Sequence, residues 1–294
     1  MTESLLRPPT ARTAGGLADW VEATLAVENR DLLSKASIRK RLAADGNDDE
    51  ASLSLLYTEL RRRRSLGGPL YPYKVGGAGV QREEVANSSY DFLLVCSLEE
   101  ATFRRTRDWS SSVRLFEQLT VAGLSALFGA GTHVLRFGYP PDAPRPERFP
   151  DAVDFLARKL NLQRGPGRAA TQEQDGGVDA IAWRPFADKQ VGFPVLLAQC
   201  TLQLQYESKG ADVVLARWRN WVTFRRDPLT ALVVPFDLGR TNEAWEDVHY
   251  TVDVIVDRFR LCALLAEVDL AHWPHRGHLE GWLNHELRGL GLAG

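Results

Sequence analysis

"DGGVDAIAWRPFADKQVGFPVLLAQCT" (Asp175–Thr201) reads as two apolar strands joined by a polar turn. Asp179 falls inside the first strand and Gln199 near the end of the second, and core residues flank both. A buried carboxylate is costly unless it is paired or binds a metal. A hairpin here brings Asp179 and Gln199 close together at one end of a sheet. The two strands thus predict both a fold and a site.

Outward from the hairpin, strands and helices alternate. The spacing predicts a helix over Val113–Phe128, with Ser110 to Ser112 as N-caps and Gly129 and Gly131 past its end. Within it Glu117 heads an apolar stripe of Val121, Leu124 and Phe128, so its carboxylate is expected to point at the sheet. "THVLRFGYP" reads as a short strand, and a helix follows from about Asp151 to Leu160. After the hairpin come a helix over Val213–Val222, a strong strand in "LTALVVPF" and a long helix or helix pair in "TNEAWEDVHYTVDVIVDRFRLCALL". This order predicts an α/β domain with a central mixed sheet flanked by helices.

Toward the N-terminus the apolar spacing is helical over Leu17–Leu42 and again over Ala51–Leu66. Val75–Val80 is Gly-rich and extended, and "YDFLLVCSL" is a buried strand or a short core helix. The predicted organisation is a mostly helical partner- or target-recognition region over residues 1–107 and the α/β domain over 108–294.

With 294 residues, 44% of them apolar, the chain is long enough for a sizeable core. The formal net charge of -2 announces no global attraction to nucleic acid but leaves room for a local basic groove. Cys96, Cys200 and Cys262 are odd in number and far apart, which argues against a disulfide framework or a structural zinc site. The first residues lack the apolar core of a signal peptide, and no run approaches the ~18 apolar residues needed to cross a membrane. The expectation is a cytoplasmic protein with no membrane partner. Neither GxxxxGK[ST] nor GxGxxG after a strand occurs, so no nucleotide cofactor is expected.

Two carboxylates and an amide oxygen around one point suit a hard cation such as Mg²⁺ or Mn²⁺. "FEQL" on a helix, "DGGVDAIAW" on a strand and "LLAQCT" on the next strand together resemble the PD-(D/E)xK nuclease superfamily. They most resemble its Mrr-like restriction endonuclease branch, which has Gln in place of the third acid and also occurs in prokaryotic antiviral defence loci. The resemblance covers roughly Ser111–Phe236. It implies a restriction-endonuclease-like fold and metal-dependent hydrolysis of DNA. It also implies that Glu117, Asp179, Gln199 and the Cys200 carbonyl are the metal ligands.

The chain departs from that pattern at Thr201, where the superfamily has a catalytic Lys. Lys209 and Lys189 are the nearest replacements, and Lys209 is the one expected to reach back. The departure keeps a second function open, in which a lapsed nuclease fold serves as a nucleic-acid-binding or scaffold subunit beside another protein of a defence system. A small-molecule hydrolase has no GxSxG elbow to support it.

Each residue also has a plainer reading. Asp179 can cap a Gly-rich turn, Glu117 can be a surface residue near a helix start, and Gln199 can bond to its own backbone. Cys200 reads as a small core residue and Lys209 as a solvated lysine. Arg217, Arg219, Arg225 and Arg226 interleave with Trp218 and Trp221, as in a nucleic-acid surface, although core packing explains the tryptophans equally well. Arg61 to Arg64 close a predicted helix, where positive charge complements the dipole. His272, His275 and His278 have a metal-like spacing, but Pro274 and Gly277 break any helix that would align them.

Overall fold

The computed structural model describes residues 6–43, 50–106, 109–239 and 243–292; the expected domain boundary at 107/108 lies outside them. In chain order the first elements are α1 (Ala14–Val27), β1 (Leu32–Ser34), α2 (Lys35–Ala43), α3 (Glu50–Gly67), β2 (Tyr73–Val75), β3 (Gly79–Arg82), α4 (Ser89–Ser97) and α5 (Thr102–Thr106). Then follow α6 (Ser110–Leu124), β4 (His133–Arg136), α7 (Phe149–Lys159), β5 (Ala180–Trp183), β6 (Val195–Cys200) and α8 (Leu215–Trp221). The chain closes with β7 (Leu229–Val233), α9 (Glu243–His249), β8 (Val254–Val256), α10 (Arg258–Leu265) and α11 (Arg276–Leu292).

These elements form two compact units. One holds the residues up to Leu115 with Pro235–Asp237 and the residues from Asp269 on; the other holds Phe116–Val234 and Leu238–Val268.

The first unit is mostly helical around a three-stranded antiparallel sheet in the order β1-β3-β2. The helical spacing read across Leu17–Leu42 is interrupted, because Leu32–Ser34 pairs with β3. "YDFLLVCS" resolves as the core helix α4, buried on nearly every side. Sequence reading grouped residues 269–294 with the sheet domain. In the structure α11 packs on α1, α4 and α5, with the Phe92 and Trp282 rings 5.0 Å apart. The Phe103 amide donates to Glu286 at 3.1 Å, which fixes the same contact.

The second unit has the expected α/β class: a mixed five-stranded sheet in the order β4-β5-β6-β7-β8, flanked by helices. β4, β5 and β6 pair antiparallel, while β6, β7 and β8 run parallel. Parallel neighbours need a crossover, and α8 and α9 supply the two. The strand β8 corrects the expectation of a continuous helix or helix pair across "TNEAWEDVHYTVDVIVDRFRLCALL". A three-residue strand is too short for period two to stand out against the helical spacing on either side.

Phe137, Phe149, Ile181, Leu197, Trp218 and Trp221 form the heart of one core cluster. Each such side chain, fully buried, contributes about 1.5–3 kcal/mol. α6 and α10 meet at Gly123, where a Cβ would lie 2.6 Å from Leu261 Cδ1. That close approach fixes α6, which carries Glu117, against α10.

Candidate active site

Asp179 sits just before β5, and its backbone is held on both sides. Its carbonyl accepts from the amides of Phe137 at 2.6 Å and Gly138 at 3.0 Å, and its own amide donates to Ala198 at 2.9 Å. The Cys200 amide donates to Asp179 Oδ2 at 2.8 Å. These bonds leave Asp179 Oδ1 to face the space beside Gly138. The Ala180↔Ala198 register, carried one residue further, sets Asp179 across from Gln199. Opposed residues of an antiparallel pair share a face.

Glu117 comes from the second turn of α6 and is only 3% exposed. Its Oε2 meets Asp179 Oδ1 around Gly138. A Cβ built there would stand 2.6 Å from the first oxygen and 3.1 Å from the second. The bare Gly138 Cα is what makes room for two carboxylates.

Arg136, at the end of β4, counters their charge. Its Nη2 stands 2.7 Å from Glu117 Oε2, and its Nη1 donates to the Pro140 carbonyl at 2.8 Å and lies 3.4 Å from Asp142 Oδ2. The Glu117 contact is an ion pair in which no N–H is aimed well enough to satisfy Oε2 as a hydrogen bond. Arg136 went unnoticed in the sequence, where "THVLR" reads only as a strand. The available signal was a charge closing an otherwise apolar strand.

Burial is the largest influence on both acids and pushes both up. Glu117 rises well above the carboxylate range, helped by Asp179 and opposed by Arg136. Asp179 also rises, helped by Asp175 and Asp212 and opposed by the Cys200 amide and Arg136. Burial pushes the Cys200 thiol up as well, so only its backbone carbonyl suits a hard cation.

Gln199 donates from Nε2 to the Cys200 carbonyl at 3.3 Å, while its Oε1 is buried with no hydrogen-bond partner. Gln199 and Asp179 line one cavity of about 420 Å³ together with Glu173, Asp175, Asp212 and Arg217. Asp179 therefore belongs to two groups, one with Glu117 around Gly138 and one with Gln199 along this cavity. An oxygen orphaned in a buried site, a glycine cradle and two crowded carboxylates fit a hard divalent cation. Among the described residues, no three His, Cys, Asp or Glu side chains stand together as a metal cluster.

The two lysines do not join this site. Lys209 pairs through Nζ with Asp212 Oδ2 at 3.3 Å and does not line the cavity. Lys189 is exposed in the turn of the β5–β6 hairpin, at the end of the strands away from Asp179. Thr201 is buried, and its Oγ1 accepts from the Gln203 amide at 3.1 Å.

The basic cluster divides. Arg217 lines the cavity, pairs with Glu173 and lies over the Trp221 ring at 5.2 Å. Arg219 pairs with Asp227, whereas Arg225 and Arg226 are exposed. Trp218 and Trp221 are core residues whose indole N–H groups each bond a carbonyl, Gly176 and Arg168, at 3.2 Å. His272 bonds Asp269 at 2.8 Å on the surface, and the Trp273 and His275 rings meet edge to face, 5.4 Å apart.

No protein-family model and no curated protein matches the sequence. Among solved structures the chain is similar to the MspJI restriction endonuclease in complex with a 27-mer oligonucleotide, at 17% identity and a TM-score of 0.29. The match covers 84% of this chain and 47% of that one, so the chain spans about half the length of that structure. No helix among the described residues is long and apolar enough to cross a membrane.

Proposed function

We propose that this chain is a metal-dependent endonuclease-like protein that hydrolyses phosphodiester bonds of DNA. Glu117, Asp179 and Gln199 are its cation ligands, and the Cys200 carbonyl completes the set. The observation that carries this reading is the meeting of two buried carboxylates at Gly138, one of which shares a cavity with Gln199, whose amide oxygen is unsatisfied. A bound Mg²⁺ or Mn²⁺ would neutralise phosphate charge and lower the pKa of an attacking water.

The chain's own residues have separate duties. The backbone bonds around Asp179 orient its free oxygen, and burial keeps competing water away from Glu117. Arg136, already within the site, takes the cationic duty that Thr201 cannot, namely to stabilise charge on a phosphate. Arg217 stands at the cavity wall, where a nucleic-acid backbone would pass. The prokaryotic defence setting and a partner from the same system follow from the motif's resemblance to the Mrr-like branch, and a cytoplasmic location from the three free cysteines.

One observation favours a second reading: neither Lys209 nor Lys189 reaches the site, and Thr201 stands in the lysine's place. On that reading the fold binds nucleic acid or a partner without turnover. Incubation with supercoiled and linear DNA in Mg²⁺, Mn²⁺ or EDTA separates the two. Nicking that needs metal and is lost in Asp179→Ala supports the nuclease. Metal-independent binding without nicking supports the scaffold.

A further inference from the structure

The first unit carries an arrangement that the nuclease reading does not use. Its order α1–β1–α2–α3–β2–β3, with sheet order β1-β3-β2 and both pairings antiparallel, is that of a winged helix-turn-helix. β2 and β3 form the wing, whose tip at Gly77 and Ala78 is exposed. In such folds the second helix of the pair enters the major groove of a duplex. Here that helix is α3.

The surface of α3 divides as this use requires. Leu53, Leu56, Leu60 and Arg63 are buried toward the unit's core. Ser54, Leu55, Thr58 and Arg61 form an exposed row on the other side, with Leu55 49% exposed. Short hydroxyls and one apolar side chain suit base edges and thymine methyl groups. Beside the row stands Tyr57, with Lys35 Nζ of α2 5.5 Å from its ring centre. Arg39, Arg61 and the acidic Glu50 are each close enough to act on the Tyr57 hydroxyl by charge. Three cations from two helices thus border one exposed row. Glu50, at the start of α3, pairs with Arg39 at 2.5 Å.

We propose that this unit docks on duplex DNA through α3, with Ser54, Leu55 and Thr58 against the base edges and Lys35, Arg39 and Arg61 on the phosphates. The cations and the row's chemistry select a polyanionic duplex with readable bases. This surface needs no metal, so it stands apart from the Asp179 site.

The test is fluorescence anisotropy of the full chain with labelled duplex DNA in EDTA across a salt series. Lys35→Ala and Arg61→Ala should each weaken binding several-fold and lower the salt slope by about 1. Thr58→Glu places a repelling charge in the middle of the row and should abolish binding, with unchanged circular dichroism to exclude misfolding. Wild-type binding should persist in EDTA, where metal-dependent cleavage stops, so that this proposal and the nuclease reading fail separately. Failure of the wild type to bind duplex DNA, or affinity within about twofold and an unchanged slope in all three surface variants, overturns the proposal.

Discussion

Arg136 Nη2 lies 2.7 Å from Glu117 Oε2, and that same oxygen meets Asp179 Oδ1 around the bare Cα of Gly138. One guanidinium therefore compensates a carboxylate that has a second acid for a neighbour. Arg136→Ala should cost about 3–5 kcal/mol at pH 9, above the value of about 8 to which burial pushes Glu117, because there it strands a buried charge. The loss should shrink at pH 5, where Glu117 takes up a proton. Urea denaturation at the two pH values checks both statements.

The raised acids give a pH dependence of defined sign. A carboxyl whose folded-state pKa exceeds its unfolded value binds its proton more tightly when folded. Its contribution to stability is highest below the unfolded value of ~4 and falls as pH rises through the folded value. Asp179 and Glu117 both behave this way. Asp179→Asn, which cannot ionise, should therefore gain stability relative to the wild type as pH rises from ~4 toward neutrality. Melting temperatures of both proteins across that window provide the comparison, and a parallel pair of curves would contradict the shifts.

Gly138→Ala should damage the site more than the fold. The new Cβ would press on both carboxylates, at 2.6 and 3.1 Å. Overpacking of this kind costs about 1–3 kcal/mol. Metal binding and any cleavage should fall at least tenfold while the circular dichroism spectrum stays native. Isothermal titration with Mn²⁺ reads the loss directly.

Gln199→Glu should strengthen cation binding by roughly tenfold at neutral pH, since a charge replaces a neutral oxygen beside the same cation. Without metal the same change should destabilise the fold, because it adds a third acid to a site that already raises two. A thermal shift measured with and without Mn²⁺ should therefore change in opposite directions.

The first unit is predicted to depend on a buried polar group. Glu22 is fully buried and accepts from the hydroxyls of Tyr71 at 2.6 Å and Tyr90 at 2.8 Å, with Arg63 Nη1 3.0 Å away. Arg63→Met should cost about 3–5 kcal/mol by leaving the acids around it unpaired. Chemical denaturation of the full chain tests this.

The sequence disclosed the strong elements and the strand-end acid for physical reasons. β5 and β6 are buried on both faces, so their apolar runs stand out, and an acid or amide at their ends is conspicuous. Glu117 was legible because helical spacing put it on the stripe that faces the sheet. Arg136 was not legible, since its significance lies in a partner from another element and long-range pairing leaves no local periodicity. β1 and β8 were hidden because three residues cannot establish a period. Reading the arginine–tryptophan cluster needed coordinates, because spacing alone does not distinguish a tryptophan that packs inward from one that stacks outward.

The most direct measurement is Mn²⁺ binding to the full chain by electron paramagnetic resonance, beside Asp179→Ala and Glu117→Gln. The expected result is bound Mn²⁺ in the wild type, lost in Asp179→Ala and weakened in Glu117→Gln. A wild type that binds no Mn²⁺, or variants that bind it equally well, would contradict the assignment of Glu117, Asp179 and Gln199 as a cation site.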